Sequence, residues 1–356
     1  MQNYRIDSHK LIYHPKEVSK WMDGDAVYPI MAEIGLSGVC NHKCIFCCIA
    51  HMDYKPSFIE QVLLLDRIKE MKSLGLKSIM LAGNGEPLTH KNFTSIVRKI
   101  KSEGIDIALS TNGVLFTKKI ADEILDCFSW IRFSISAGTE ETYKKIQRGQ
   151  DGDLQRVLSN IEYASNIKKQ RNIKTVLGVQ IVMTPENANE ILLLANLAKE
   201  YGANWFTVKT VGWNPLDVQY KNNVDLNVLA SDREDLASKL ENLSDENYKA
   251  IFRSNRFEIE TNARGYDECY AAPFYTAIDS NGDVYPCCNM IGVPYAVLGN
   301  IHNTSFKNIW DGTRRKEVMQ EFAKRKLKDC PLACRLSNMN RYLKELKYPG
   351  DHVNFI

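Results

Sequence analysis

Cys40-Asn41-His42-Lys43-Cys44-Ile45-Phe46-Cys47 puts three thiols within eight residues, shortly after the largely apolar run Tyr28-Pro-Ile-Met-Ala-Glu-Ile-Gly35. Thiolates this dense on a short loop suit a soft metal centre, because each can turn inward while the intervening residues follow the loop. On a four-iron cluster, three cysteines would leave one iron without a protein ligand, and an open iron can take a substrate or cofactor. A zinc loop or buried thiols are the plainer readings. A zinc site wants a fourth Cys or His nearby, and His42, His51 and Cys48 are available. Against zinc, C-x3-C-x2-C is not its usual paired C-x2-C or C-x4-C spacing.

The 356 residues are 44% hydrophobic and 25% charged, a globular composition with room for one large core and a smaller module. A formal net charge of +3 is too mild to argue for nucleic acid, and the basic residues are scattered. No stretch approaches the ~18 uninterrupted apolar residues of a membrane span. The N-terminus lacks the basic-then-apolar pattern of a secretion signal. The expectation is a cytoplasmic protein with no nucleic-acid or membrane partner, whose ten cysteines are not disulfides. Cys127, in Ile124-Leu-Asp-Cys-Phe128, lies on a helical pattern and reads as core packing. The other nine fall into two groups, 40–48 and 269–334, which predicts two metal centres.

Along the chain, short β-branched runs alternate with amphipathic helical stretches, the mark of a parallel α/β fold. Strands are expected at 28–35, 77–82, 105–111, 130–137, 175–183 and 204–211, and helices near 57–75, 90–103, 116–128, 139–147, 154–169 and 187–201. Gly75, Gly104 and Gly202 lie at or just past helix ends and fit the C-terminal cap position. Six β/α units are two short of an eight-stranded barrel, and periodicity does not choose between an open barrel and a flat doubly wound sheet. The expected organisation is an N-terminal extension over the main domain (1–27), a core (28–213), a connection (214–264), a second cysteine module (265–335) and a tail (336–356). The connection should hold a charged helix from Arg233 to Leu243 and a strand at Phe257-Glu-Ile-Glu-Thr261; the tail begins helically from Met339 to Leu346.

The second strand runs into Leu81-Ala-Gly83-Asn-Gly85-Glu86-Pro87, where paired glycines admit close backbone approach to a ligand and Pro87 fixes the exit. Alone, such a segment is most often a turn. After a C-x3-C-x2-C loop with Phe46 before its last cysteine, it resembles the radical S-adenosylmethionine (radical SAM) enzymes. The resemblance implies a partial (β/α)6 radical SAM barrel, with Cys40, Cys44 and Cys47 on a [4Fe–4S] cluster and Phe46 beside the cofactor. Gly85-Glu86-Pro87 would bind the amino group of the cosubstrate's methionine; Asn84 stands where the family often has the first glycine.

Hydroxyls and amides at strand C-termini point into a barrel mouth. By resemblance, Ser110, Asn112, Ser134 and Ser136 are candidates for the ribose and methionine carboxylate, although strand-end Ser and Asn can equally satisfy turn backbone. Val182, in the fifth strand, would flank adenine with its main chain, and Arg148 resembles a basic residue that holds a carboxylate. Lys209 and Trp213, near the end of the sixth strand, are candidates to touch substrate.

The second cysteine group reads Cys269-(17 residues)-Cys287, then Cys330-Pro-Leu-Ala-Cys334, with Cys288 beside Cys287. Between the first two lies a strand-alternating hairpin, 274–285, around Asn281-Gly282. Four thiolates could equally make a zinc ribbon. The arrangement resembles the family's auxiliary-cluster modules, called SPASM when they hold two clusters and twitch when they hold one, and implies a small α+β domain. Two clusters need more cysteines than the five present here, and neighbouring side chains at 287 and 288 cannot easily reach one cluster. That leaves Cys269, Cys287, Cys330 and Cys334 as the full set for a second [4Fe–4S] cluster.

The resemblance also implies the reaction. The first cluster would reduce bound S-adenosylmethionine to a 5′-deoxyadenosyl radical, which abstracts hydrogen from an unactivated carbon. A fully ligated auxiliary cluster would take the second electron. The implied reaction is a dehydrogenase's oxidation of an alcohol carbon on a sugar, aminocyclitol or other polar small molecule, supplied by a reducing partner such as flavodoxin or ferredoxin. The rival readings are a peptide or protein maturase and a redox-neutral sugar epimerase or dehydratase, with Cys48 as a possible hydrogen donor. The 27 residues before the first strand are too few for the leader-binding winged-helix domain that many peptide modifiers carry.

Overall fold

The structure, a computed structural model, describes residues 9–212, 214–216, 233–253, 264–325, 327–331 and 334–355. Six strands follow the expected order: β1 (Met31–Gly35), β2 (Ser78–Ala82), β3 (Asp106–Thr111), β4 (Phe128–Ser134), β5 (Val176–Val182) and β6 (Trp205–Lys209). Each pairs in parallel with the next. The helices are α1 (Pro15–Met22), α2 (Gln61–Ser73), α3 (Phe93–Ser102), α4 (Lys118–Ile124), α5 (Glu140–Gln147), α6 (Asp153–Gln170) and α7 (Ile191–Glu200), of which α2 to α7 lie between consecutive strands. Gly75, Gly104 and Gly202, just past α2, α3 and α7, have φ of +119°, +72° and +84°, as cap positions require.

Alternation along the strands separates two faces. Ile79, Leu81, Ile107, Leu109, Ile131 and Phe133 point outward and bury against the apolar faces of α2 to α4 in one continuous core. The opposite face is different in kind. It holds a small cluster of Met80, Ala82 and Ala108 with Met31 and Trp130, and on the same alternation it carries Glu33, Ser110, Arg132 and Ser134. Across this face Glu33 acts electrostatically on Arg132. The parallel sheet is that of a TIM-like partial barrel with a polar lumen, which resolves the choice periodicity left open.

A seventh parallel strand, β7 (Lys249–Phe252), extends the sheet beyond β6 and was not expected. The expected hairpin forms as β8 (Tyr275–Ile278) and β9 (Asp283–Tyr285), with Gly282 at φ +84°. It does not stand apart from the barrel: β8 pairs in parallel with β1, from Met31↔Tyr275 to Ile34↔Ile278. With β10 (Gly299–Asn300), one ten-stranded sheet runs β10-β9-β8-β1-β2-β3-β4-β5-β6-β7. The charged helix is α8 (Arg233–Asn242); α9 (Phe306–Asp311) and α10 (Thr313–Lys324) were not expected, and α11 (Ser337–Lys347) is the tail helix.

Among the described residues, the N-terminal extension packs on the auxiliary segment. Trp21 meets Tyr270 and Phe274 with ring centroids 6.0 and 6.3 Å apart, and Trp310 Nε1 donates to the Val27 carbonyl at 2.8 Å. The strand expected at 257–261 and the side chain of Trp213 lie outside the described residues. Among the described residues no helix is long and apolar enough to cross a membrane.

Candidate active site

The cysteine loop leaves the C-terminal end of β1 and lies along the end of α5. The amides of Lys43 and Ile45 donate to the carbonyls of Gln147 (3.3 Å) and Ile146 (2.9 Å). Cys40, Cys44 and Cys47 are half-buried. Burial pushes the Cys40 thiol up to about 12, with the charges of Glu86 and Cys47 adding to it. Cys44 is raised by burial first and then by Cys47 and Cys40. The Tyr54 hydroxyl hydrogen-bonds Cys47.

Thiols crowded in this way ionise together only when a cation compensates them, so the donor set fits a metal centre. His42 does not complete a zinc set. It is buried with Nε2 3.3 Å from Asp153 Oδ2 and its ring edge-on to Tyr143, and burial holds it below its ordinary pKa. Among the described residues no three His, Cys, Asp or Glu side chains converge tightly enough for a single metal ion. A four-iron cube binds each thiolate on a separate iron.

The Gly85-Glu86-Pro87 segment, at the end of β2, is packed backbone-to-backbone on the start of the cysteine loop. A Cβ on Gly85 would lie 2.5 Å from the Val39 carbonyl oxygen and 2.8 Å from the Gly38 carbonyl carbon, so no larger residue fits without moving the loop. The Glu86 amide donates to Val39 O at 2.8 Å. Its buried carboxylate accepts from Thr111 Oγ1 (2.7 Å), the Asn112 amide (2.8 Å) and the Leu88 amide (3.2 Å). Burial lifts it to about 7 against those three bonds. Asn112 Nδ2 in turn donates to Asn41 Oδ1 at 2.7 Å, and the same side chain hydrogen-bonds Cys40. Glu86 and Asn112 are thus placed as braces that tie the cysteine loop to β3, with their side chains engaged by protein groups.

Asn84, the departure from the family's paired glycines, has a role of its own. Its amide bonds Ser280 twice, Nδ2 to the hydroxyl at 2.8 Å and Oδ1 from the amide at 3.1 Å. Ser280 sits in the turn of the β8–β9 hairpin, so this side chain joins the barrel mouth to the auxiliary segment.

Of the other expected residues, Ser136 and Val182 come together: the Val182 amide donates to Ser136 Oγ at 3.3 Å. Val182 is in register with Lys209 at the far ends of β5 and β6. Arg148 caps α5 in the left-handed region (φ 52°) and is exposed, with its charge acting on Cys44. Ser134 ends β4, half-buried. Ser110, half-buried near the end of β3, accepts at its hydroxyl from Arg132 Nε (3.2 Å) and Nη2 (2.8 Å). Sequence reading passed over Arg132, Glu33 and Tyr54. The first two carried a usable signal, a charged residue at an inward position of an otherwise apolar strand.

Cys269, Cys287, Cys330 and Cys334 form the second group. Burial raises Cys287 well above its ordinary pKa, and the charges of Cys288 first, then Cys334, Cys330 and Cys269 contribute; Cys269 is raised to about 12 by burial and then Cys334. Several N–H groups point at sulfur, with Asn340 Nδ2 3.9 Å from Cys269, and Asn289 Nδ2 and the Leu336 amide 3.7 and 3.4 Å from Cys334. Cys288 faces elsewhere, 3.7 Å from Arg335 Nη1 and hydrogen-bonded to Tyr275. Cys48 lies under Gly212, where a Cβ would come 3.3 Å from its sulfur, and Cys127 is buried beside Asp126.

A parallel partial barrel with three thiols at its mouth and four more beside an added hairpin defines a metal-dependent barrel enzyme. Residues 34–198 match the radical SAM superfamily, and residues 269–335 match SPASM, an iron–sulfur cluster-binding domain. The chain is a radical SAM enzyme with a SPASM domain, and its cofactors are [4Fe–4S] clusters and S-adenosylmethionine. It is similar to an AdoMet-dependent heme synthase of Methanosarcina barkeri, 27% identical over 78% of this chain and 80% of that protein. A GTP 3′,8-cyclase of Clostridium perfringens is 29% identical over 52% of this chain, which spans only 53% of the cyclase. In fold it resembles Streptococcus suis SuiB, solved bound to S-adenosylmethionine, with a TM-score of 0.65 and 17% identity over 87% of this chain and 72% of SuiB.

Proposed function

We propose that this radical SAM enzyme is a dehydrogenase that removes two electrons and two hydrogens from an alcohol carbon of a polar small molecule, a sugar, an aminocyclitol or a relative. The observation that supports the reading is the second thiol group: Cys269, Cys287, Cys330 and Cys334 act on one another's charge, while Cys288, which also acts on Cys287, is hydrogen-bonded to Arg335 and Tyr275. A centre with four protein thiolates has no open iron for substrate, and electron acceptance is the task left to it. When bound, the first cluster supplies the electron that splits S-adenosylmethionine to the hydrogen-abstracting radical.

In this reading Cys40, Cys44 and Cys47 hold the first cluster and Cys269, Cys287, Cys330 and Cys334 the second. Glu86 and Asn112 fix the loop, Ser136 and Val182 shape the adenosine side, and Lys209 stands at the mouth toward substrate. A reductant such as flavodoxin or ferredoxin serves the first cluster.

Anaerobic protein given reductant, S-adenosylmethionine and candidate polyols should form a product two hydrogens lighter, with about one cosubstrate consumed per turnover. Solvent deuterium taken up into a product of unchanged mass class would make the enzyme an epimerase, and a mass change on a peptide would make it a maturase. The 27% identity to the heme synthase across most of the chain favours one second reading, action on a heme-related substrate, which the same product analysis tests.

A further inference from the structure

Among the described residues, Arg132 stands out in the lumen of the partial barrel as a cation without an ion pair. Arg132, inward on β4 and half-buried, gives two N–H groups to Ser110 Oγ and lies 5.9 Å over the Trp130 ring. Glu33, the carboxylate that acts on it, is taken: Arg335 Nη1 sits 2.5 Å from Glu33 Oε2, and Tyr275 donates to the same oxygen at 2.9 Å. Arg335 and Arg253 both add positive charge around Arg132, and the Cys288 thiol acts on it with the opposite sign.

Among the described residues Arg132 has no ion-pair partner. A guanidinium carries five N–H donors in a fork suited to oxyanions, and Ser110 uses only two. Burial, then Arg335, lowers its pKa to about 10, so it is a cation at neutral pH. A desolvated cation is costly unless something negative meets it.

We propose that the substrate carries an oxyanion, a carboxylate or phosphate, and that Arg132 receives it inside the barrel. This rests on the dehydrogenase reading, which places substrate in the lumen. The position separates the anion from the methionine carboxylate of S-adenosylmethionine. The cysteine loop, Glu86 and Arg148 gather at the strand ends, whereas Arg132 lies one inward layer below Ser134, where Arg335 and Cys288 act on its charge.

The test uses holoenzyme saturated with S-adenosylmethionine and titrated calorimetrically at constant ionic strength with pyrophosphate and, separately, oxalate, as probes for the phosphate and carboxylate classes. One of the two should bind, about tenfold more weakly in Arg132→Gln and with partial recovery in Arg132→Lys. Cosubstrate affinity should move by less than about twofold, a change too small to count as a lost contact. The proposal is overturned if wild type binds neither anion, or if Arg132→Gln binds as wild type does. It is also overturned if that variant loses cosubstrate affinity instead, since Arg132 would then hold the methionine carboxylate. If Arg132→Gln does not fold, Arg132→Lys makes the comparison: it should bind the anion more weakly than wild type, and equal affinity overturns the proposal. Product mass after turnover with reductant and polyol tests the dehydrogenase reading separately: absence of a product two hydrogens lighter sinks that reading and leaves the anion result standing.

Discussion

The two thiol groups are built in opposite ways. Cys40, Cys44 and Cys47 lie on one loop, and outside that loop their supports are contacts such as Glu86 to Val39 and Asn112 to Asn41. Cys269, Cys287, Cys330 and Cys334 come from separated segments that the fold must bring together, and their supports are N–H groups from Asn289, Leu336 and Asn340. A local site can keep its shape with little help from the rest of the chain. A dispersed site is part of the folding of its own domain, and there metal binding contributes folding free energy. The first group should therefore answer to changes in chemistry and the second to changes in stability.

The largest expected effect separates them. Cys44→Ala should abolish S-adenosylmethionine cleavage, a loss beyond the roughly 10–100-fold typical of an outer-shell partner, with the melting temperature little changed. Cys330→Ala should keep cosubstrate cleavage but lose substrate oxidation, and should loosen residues 264–335 in hydrogen exchange. Equal loss of cleavage in both variants would end the division of labour.

Next comes the link between the two regions. Asn84→Ala removes both bonds to Ser280 and should cost about 1–3 kcal/mol, the range for buried polar groups left without partners, read as a lower midpoint in urea. Ser280→Ala, which keeps the backbone bond, should cost less. If both variants melt as wild type does, the hairpin is not tied to the mouth through this amide.

The smallest effect is a pH slope. Burial, with Asp283 adding, raises Asp279 in the hairpin turn to about 6. A carboxyl raised on folding contributes stability that is complete below its unfolded value and is lost as pH climbs through about 6. Asp279→Asn keeps an oxygen for the Asn281 and Asp283 amides and should flatten the melting temperature between pH 4 and 6, an interval set by the ordinary and raised values. An unchanged slope would assign the titration to another group.

Much of the frame was legible because each strand and helix repeats its period over enough residues. Ile107, Leu109, Ile131 and Phe133 alternate with small or polar neighbours, and glycines stop three of the helices. β7 escaped notice because Lys249–Phe252 is four residues long and owes its identity to pairing with β6. The thiol loop and Gly85-Glu86-Pro87 could be read as motifs, since contiguous residues carry them. Side-chain direction could not be read in the same way. Nothing local shows that Arg132 donates to the Ser110 hydroxyl, or that Ser280 meets Asn84 across 196 positions. Both depend on contacts between distant segments, which no local pattern encodes.

The pairing of β8 with β1 has a price during synthesis. β1 emerges early, and its neighbour on one side is not made until the ribosome has passed Ile278. At about 5–20 residues per second that interval is roughly ten to fifty seconds. For that time a nascent strand with Ala32 and Ile34 exposes an edge open to wrong partners, which makes the newborn chain, rather than the finished enzyme, the form most in need of a chaperone.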